Sequence, residues 1–224
     1  MIRKRILLVL LMLFFIVSVT DIFAVITQNK TMEIIFKPLL MLSLIAIYFL
    51  STRKVNLWLV AGLFFAFLGD VLLLDQKKYF VFGIACFLVT HVLYIKLTID
   101  LIKNISFTRI VFSLIPYILY FLAIMYVVYD NLKDMLVPVV EFGLVISIFG
   151  SVAFINYQKQ KTKANFLLLL SATFFVISDG FIVLNIYNEY SKILDFFVIL
   201  LYITAQYLIV RAIILKDKYV EAIK

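Results

Sequence analysis

The chain has 224 residues, 66% hydrophobic and only 15% charged, with a formal net charge of +8 and a mean hydropathy of +1.15. An ordinary globular domain carries about 25% charged residues, and a soluble fold of this size cannot hide so much apolar surface, so the chain reads as an integral membrane protein. The single cysteine, Cys86, excludes an intramolecular disulfide and a cysteine-based zinc site, and the long unbroken apolar runs exclude an alternating outer-membrane barrel.

Eight apolar runs follow in chain order: Ile6–Ile26, Ile34–Leu50, Leu57–Leu74, Phe80–Ile99, Ile110–Val128, Leu136–Ile155, Phe166–Ile186 and Ile193–Leu215. A helix that crosses the hydrocarbon needs about 20 residues. Eight spans therefore leave only tails and short loops, and the chain reads as a single integral membrane domain over 1–224, all-α, an eight-transmembrane-helix bundle. The first run follows the basic start MIRKR but shows no small-residue cleavage pattern, so it is expected to stay as an uncleaved span. Lys37-Pro38 is expected in the first turn of the second span, where a missing N–H costs no helical bond.

The basic residues test this layout. With the N-terminus inside, the inner segments hold Arg3, Lys4 and Arg5; Arg53 and Lys54; Lys96, Lys103 and Arg109; Lys159, Lys161 and Lys163; and Arg211, Lys216, Lys218 and Lys224. The outer side holds Lys30, Lys37, Lys77, Lys78, Lys133 and Lys192. The excess favours an N-in, C-in orientation with an even number of spans, in a bacterial cytoplasmic (inner) membrane. Basic loops of this kind set topology and touch lipid headgroups; no nucleic-acid partner is expected. Tyr79, Tyr120, Tyr129, Tyr187 and Tyr190 suit interfacial aromatic belts.

Ionisable residues inside hydrocarbon are costly and are functional candidates. Here they are Lys37, Asp70, Asp75, His91, Glu141, Asp179 and Asp195. The acids gather in the outer half of their spans, with His91 nearer the midplane. Asp70 in Gly69-Asp70 and Asp179 in Ser178-Asp179 each follow a small residue late in spans three and seven, 109 positions apart, which fits a parallel four-plus-four repeat. Two carboxyl groups sharing one site do not readily ionise together, so one serves as acid and the other as base. The bland reading is that each satisfies a helix–helix hydrogen bond. Gly83, Phe87 and His91 fall at four-residue steps, and Tyr94 shares their face. Lys37 suits a lipid phosphate, a nearby Asp or the outer headgroups; Gln206 suits a site or interhelical hydrogen bonding. Asp75 reads as a solvated loop start and Glu141 as a deeper acid with no assigned partner. No metal site is expected from one histidine and these carboxylates.

Lys37-Pro38-Leu39, the run Phe67-Leu68-Gly69-Asp70-Val71-Leu72-Leu73-Leu74, the stretch from Phe82-Gly83 through Phe87 and His91 to Tyr94-Ile95, Val137-Pro138, Ile177-Ser178-Asp179, and Tyr202 with Ala205-Gln206 occur in an order that resembles the YhhN/TMEM86 (lysoplasmalogenase-like) family of membrane proteins. The resemblance covers nearly the whole chain. It implies an eight-span fold and an ether-bond hydrolase that cleaves the vinyl ether of lysoplasmalogens to a fatty aldehyde and glycerophosphoethanolamine or glycerophosphocholine. It implies Asp70 and Asp179 as the paired acids and Lys37, His91, Tyr94 and Gln206 as substrate-binding residues; Asp75 and Glu141 are candidate supporting acids on their place in the chain, not on the resemblance. The chain departs from the pattern at Glu141-Phe142, where a tyrosine is expected. No cofactor is implied; the partners are membrane phospholipids and a lysolipid substrate, and the span count suffices for a monomer. The rival reading of the same buried acids is a proton-coupled transporter or a lipid-binding membrane protein.

Overall fold

The computed structural model describes residues 2–102 and 106–222. Lys103 and Lys224 lie outside the described residues, as do the side chains of Lys77 and Lys218. Among the described residues eight α-helices follow one another: α1 (Ile2–Thr27), α2 (Lys30–Ser51), α3 (Leu57–Leu72), α4 (Gln76–Ile99), α5 (Phe107–Leu132), α6 (Leu136–Lys159), α7 (Lys163–Tyr187) and α8 (Lys192–Ala222). Short 3₁₀ turns, Leu73–Asp75 and Lys133–Met135, join α3 to α4 and α5 to α6.

The chain is an all-α, polytopic integral membrane protein. Among the described residues seven apolar helical stretches are long enough to cross a membrane, and one of them, Phe107–Lys159, runs 53 residues and contains both α5 and α6. The outward faces are as apolar as a lipid environment requires: Phe15, Phe82, Phe112, Leu119 and Val137 are all exposed, and Tyr126 is 89% exposed. A soluble monomer rarely shows apolar patches beyond a few hundred Å².

Polar residues end the helices. Asn29 caps α2 by accepting the Met32 N–H, and Asn56 caps α3 by accepting the N–H groups of Trp58 and Leu59. Thr162 caps α7 through the Asn165 N–H. At the turn after α5, Lys133 takes a positive φ of 45° and breaks the helix. Pro38 is not at a helix start, as the sequence had suggested. The Asn29 cap begins α2 at Lys30, so Pro38 lies two turns inside, where it removes one i to i−4 bond.

The chain divides into two compact units, Met1–Leu93 with Val210–Lys224, and Tyr94–Ile209. In the first, α1 packs on α2 and α2 on α3. The buried stripe of α1 is Phe14, Val17, Ser18, Asp21 and Ala24, the spacing of one helix face. Helix α4 lies close on α3: a Cβ at Gly69 would come within 2.9 Å of the Phe87 ring, and the Thr90 hydroxyl donates to the Gly62 carbonyl at 3.3 Å. The buried Tyr48 hydroxyl accepts the Asn56 N–H at 2.9 Å and so pins the connection between α2 and α3.

In the second unit α5 packs on α6, α6 on α7 and α5 on α7. Met125, Val128 and Leu132 of α5 form a core patch against Phe121, Leu136, Val139 and Val183. Two buried asparagines clasp the turn between α6 and α7. The Asn156 amide donates to Asn165 Oδ1 at 3.1 Å, and the Asn165 amide donates to the carbonyls of Asn156 and Gln160. Serines stitch α7 to α8: Ser171 donates to the Ala205 carbonyl at 2.7 Å and Ser178 to the Val198 carbonyl at 3.0 Å.

Candidate functional site

In the first unit, Asp70 sits two residues before the end of α3 and is only 5% exposed. The close approach at Gly69 and Phe87 sets α4 beside it. His91 follows one helical turn after Phe87 and next to Thr90, which reaches back to Gly62 of α3, so it lies deeper than Asp70 along the same pair of helices. His91 is 1% exposed and both ring nitrogens are buried. Lys37 is half-buried on α2. Asp75, in the 3₁₀ turn, is exposed.

Asp21 is a candidate that sequence reasoning passed over. It is 0% exposed on the inner face of α1, and neither carboxylate oxygen has a hydrogen-bond partner among the described residues. Lys37 and Glu33 of α2 are the charged groups that act on it. A buried carboxylate without donors is expensive, so this position is held against a cost. The signal was available: one acid within an otherwise apolar run between Ile6 and Ile26.

In the second unit, the Tyr94 hydroxyl donates to Gln206 Oε1 at 2.8 Å, and both residues are fully buried. The Tyr94 ring packs between Phe149 and Phe175 at centroid distances of 5.9 and 6.0 Å, and Phe175 meets Tyr202 at 6.1 Å. This aromatic wall fixes the phenol, and the phenol fixes one end of the glutamine amide. The other end, Gln206 Nε2, is buried with no acceptor among the described residues, which leaves a donor for a water or a substrate oxygen.

Asp179 is half-buried on α7, with its Oδ2 sealed from solvent. Its neighbourhood is shaped by Tyr120, which the sequence placed in an interfacial belt. Tyr120 instead lies midway along α5, donates to the Ile177 carbonyl at 3.1 Å and covers Gly180, so that a Cβ there would collide with its hydroxyl. Its hydroxyl also lies within electrostatic reach of the Asp179 carboxylate. Aromatic identity alone does not reveal depth. Glu141 is exposed on α6. Asp195 accepts from the Asn185 amide at 2.6 Å and from the Tyr190 hydroxyl at 2.7 Å, which ties down the turn between α7 and α8.

The structure thus joins Tyr94 to Gln206, sets His91 below Asp70 on one helix pair, and brings Asp21 under the influence of Lys37. Asp70 belongs to the first unit and Asp179 to the second. Among the described residues, no three His, Cys, Asp or Glu side chains gather as a metal site.

Comparison with curated proteins and with solved structures gives no match. The family model of the YhhN family matches residues 32–213, which takes in Lys37, Asp70, His91, Tyr94, Asp179 and Gln206 and leaves Asp21 outside. With most of its length matched, the chain belongs to the YhhN family.

Proposed function

We propose that the chain hydrolyses the vinyl ether bond of a lysophospholipid within the membrane, with Asp70 and Asp179 as the acid–base pair. The observation that carries the reading is that Asp70 is buried and Asp179 has one carboxylate oxygen sealed from solvent, both in the second half of their helices and inside the stretch that matches the YhhN family. One carboxylic acid donates its proton to the vinyl carbon beyond the one bearing oxygen, which leaves an oxocarbenium-like centre. The other, ionised carboxylate takes a proton from water as the water adds to that centre. The hemiacetal then collapses to a fatty aldehyde and a glycerophospho-alcohol. In this reading Gln206, with its amide donor, and Tyr94 hold the polar part of the substrate, and Lys37 or His91 lies near its phosphate. No redox change is involved, so the step needs no electron carrier.

The reading includes a layout of eight crossings, N-in and C-in, with spans three and seven as equivalents in a parallel repeat. Its support is that α5 and α6, with 26 and 24 residues, are each long enough to cross the hydrocarbon. Purified protein supplied with lysoplasmenylethanolamine or lysoplasmenylcholine should release aldehyde in step with the glycerophospho-alcohol. A folded protein that releases none, yet moves the intact lipid or protons across a vesicle bilayer, would instead be a carrier.

A further inference from the structure

We propose that the first unit carries a second, separate site: a pocket for a phosphate group bearing net negative charge, built where the start of α1, the connection between α2 and α3, and the last turns of α8 converge. A cavity of about 470 Å³ opens there, lined by Arg3, Lys4, Arg53 and Arg211 together with Thr52 and Asp217. That volume falls in the usual range for small-ligand pockets.

Four cations from three separated segments crowd one cavity, and like charges repel unless an anion sits among them. The one acid in the lining, Asp217, accepts the Thr52 hydroxyl at 2.7 Å and offsets only one of the four cations, so the lining keeps a net positive charge. Arg3 is held rigidly: Nε donates to the Leu50 carbonyl at 2.8 Å and one Nη to the Thr52 carbonyl at 3.2 Å. A guanidinium has five N–H donors, so Arg3 keeps others for a ligand. Lys4, Arg53 and Arg211 make no hydrogen bond or ion pair among the described residues. An ordinary topology signal needs only charge on a loop, whereas this cluster draws residues from three segments around one open cavity. Leu7, Leu50 and Ile214 give it an apolar wall, so the lining suits a headgroup phosphate with the start of an acyl chain. A zwitterionic headgroup brings its own cation and does not neutralise the cluster; a net-anionic one does.

The test uses the full chain purified in a neutral detergent, with native mass spectrometry under added phosphatidylglycerol or phosphatidylcholine and inorganic phosphate as competitor. Phosphatidylglycerol should bind at least roughly tenfold more tightly than phosphatidylcholine, and Arg53→Gln/Arg211→Gln should erase roughly that factor. Lys159→Gln/Lys161→Gln, which removes the same charge from another basic loop, should leave binding intact. Arg53→Gln alone, in an exposed connection, gives a smaller loss if the double variant folds poorly. If inorganic phosphate displaces the lipid and itself depends on the arginines, the occupant is free phosphate; if it does not compete, the occupant is the lipid headgroup; either result upholds the site. Equal binding of the two lipids, or equal loss in the two double variants, overturns it.

Discussion

The hydrogen bond between Tyr94 and Gln206 shows how a polar group earns a place in hydrocarbon. Both side chains are fully buried, so removing one leaves the other with an orphaned atom. Gln206→Leu should cost about 1–3 kcal/mol of stability, and Tyr94→Phe a similar amount, because the desolvation penalty of the remaining partner is no longer offset. The double substitution should cost clearly less than the two singles together, as measured by denaturant unfolding in detergent micelles. Strict additivity would mean the two residues do not support each other. Residue types at this scale were legible from the chain alone, since Tyr94 and Gln206 stand out as polar in apolar runs. Their pairing was not, because the partners lie 112 positions apart and nothing local in either helix encodes the contact. Asp21 was missed for a related reason: a single acid near the end of a long apolar run looks like a boundary until its burial is known.

At the scale of elements, hydropathy located every helix, because a bilayer imposes a length and an apolar composition that the sequence must obey. It did not locate the ends. Lys30 and the stretch beyond Leu215 continue as helix past the apolar run, since polar residues outside hydrocarbon extend a helix until a cap or a turn stops it. Capped by Asn29, α2 therefore starts at Lys30, four residues before Ile34, and that shift moved Pro38 from a helix start to its interior. The packing of α3 on α4 makes a sharp demand at Gly69, where a methyl group would strike the Phe87 ring. Gly69→Ala should lower the unfolding midpoint, with a cost of about 1–3 kcal/mol. Phe87→Leu in the same chain should recover part of that loss by giving the methyl room. If Gly69→Ala is neutral by thermal unfolding, the two helices do not approach as closely as described.

Across the whole molecule, the distribution of Lys and Arg predicts which ends share a side of the membrane. In a Cys86→Ser background, single cysteines introduced at Arg53 and at Lys161 should react with a membrane-impermeant thiol reagent from the same face as the N-terminus. Cysteines at Lys30, Lys133 and Lys192 should react from the opposite face. Labelling of Lys133 from the same face as Lys161 would mean that α5 and α6 do not cross separately, and the eight-crossing layout would fall. The fold class at this scale follows from composition alone, because no other environment accommodates so much exposed apolar side chain. The proposed pairing of Asp70 with Asp179 does not, since any relation between spans three and seven is a property of the assembled chain and of no segment within it.

The most direct test of that pairing is a double-mutant cycle on aldehyde release from a lysoplasmalogen, with Asp70→Asn, Asp179→Asn and the combination, each verified as folded. If the carboxyl groups act as one acid–base unit, each single substitution lowers kcat by about 10²-fold or more, and the combination is barely worse than either alone. Two independent losses that multiply, or full turnover in either single variant, would contradict the account.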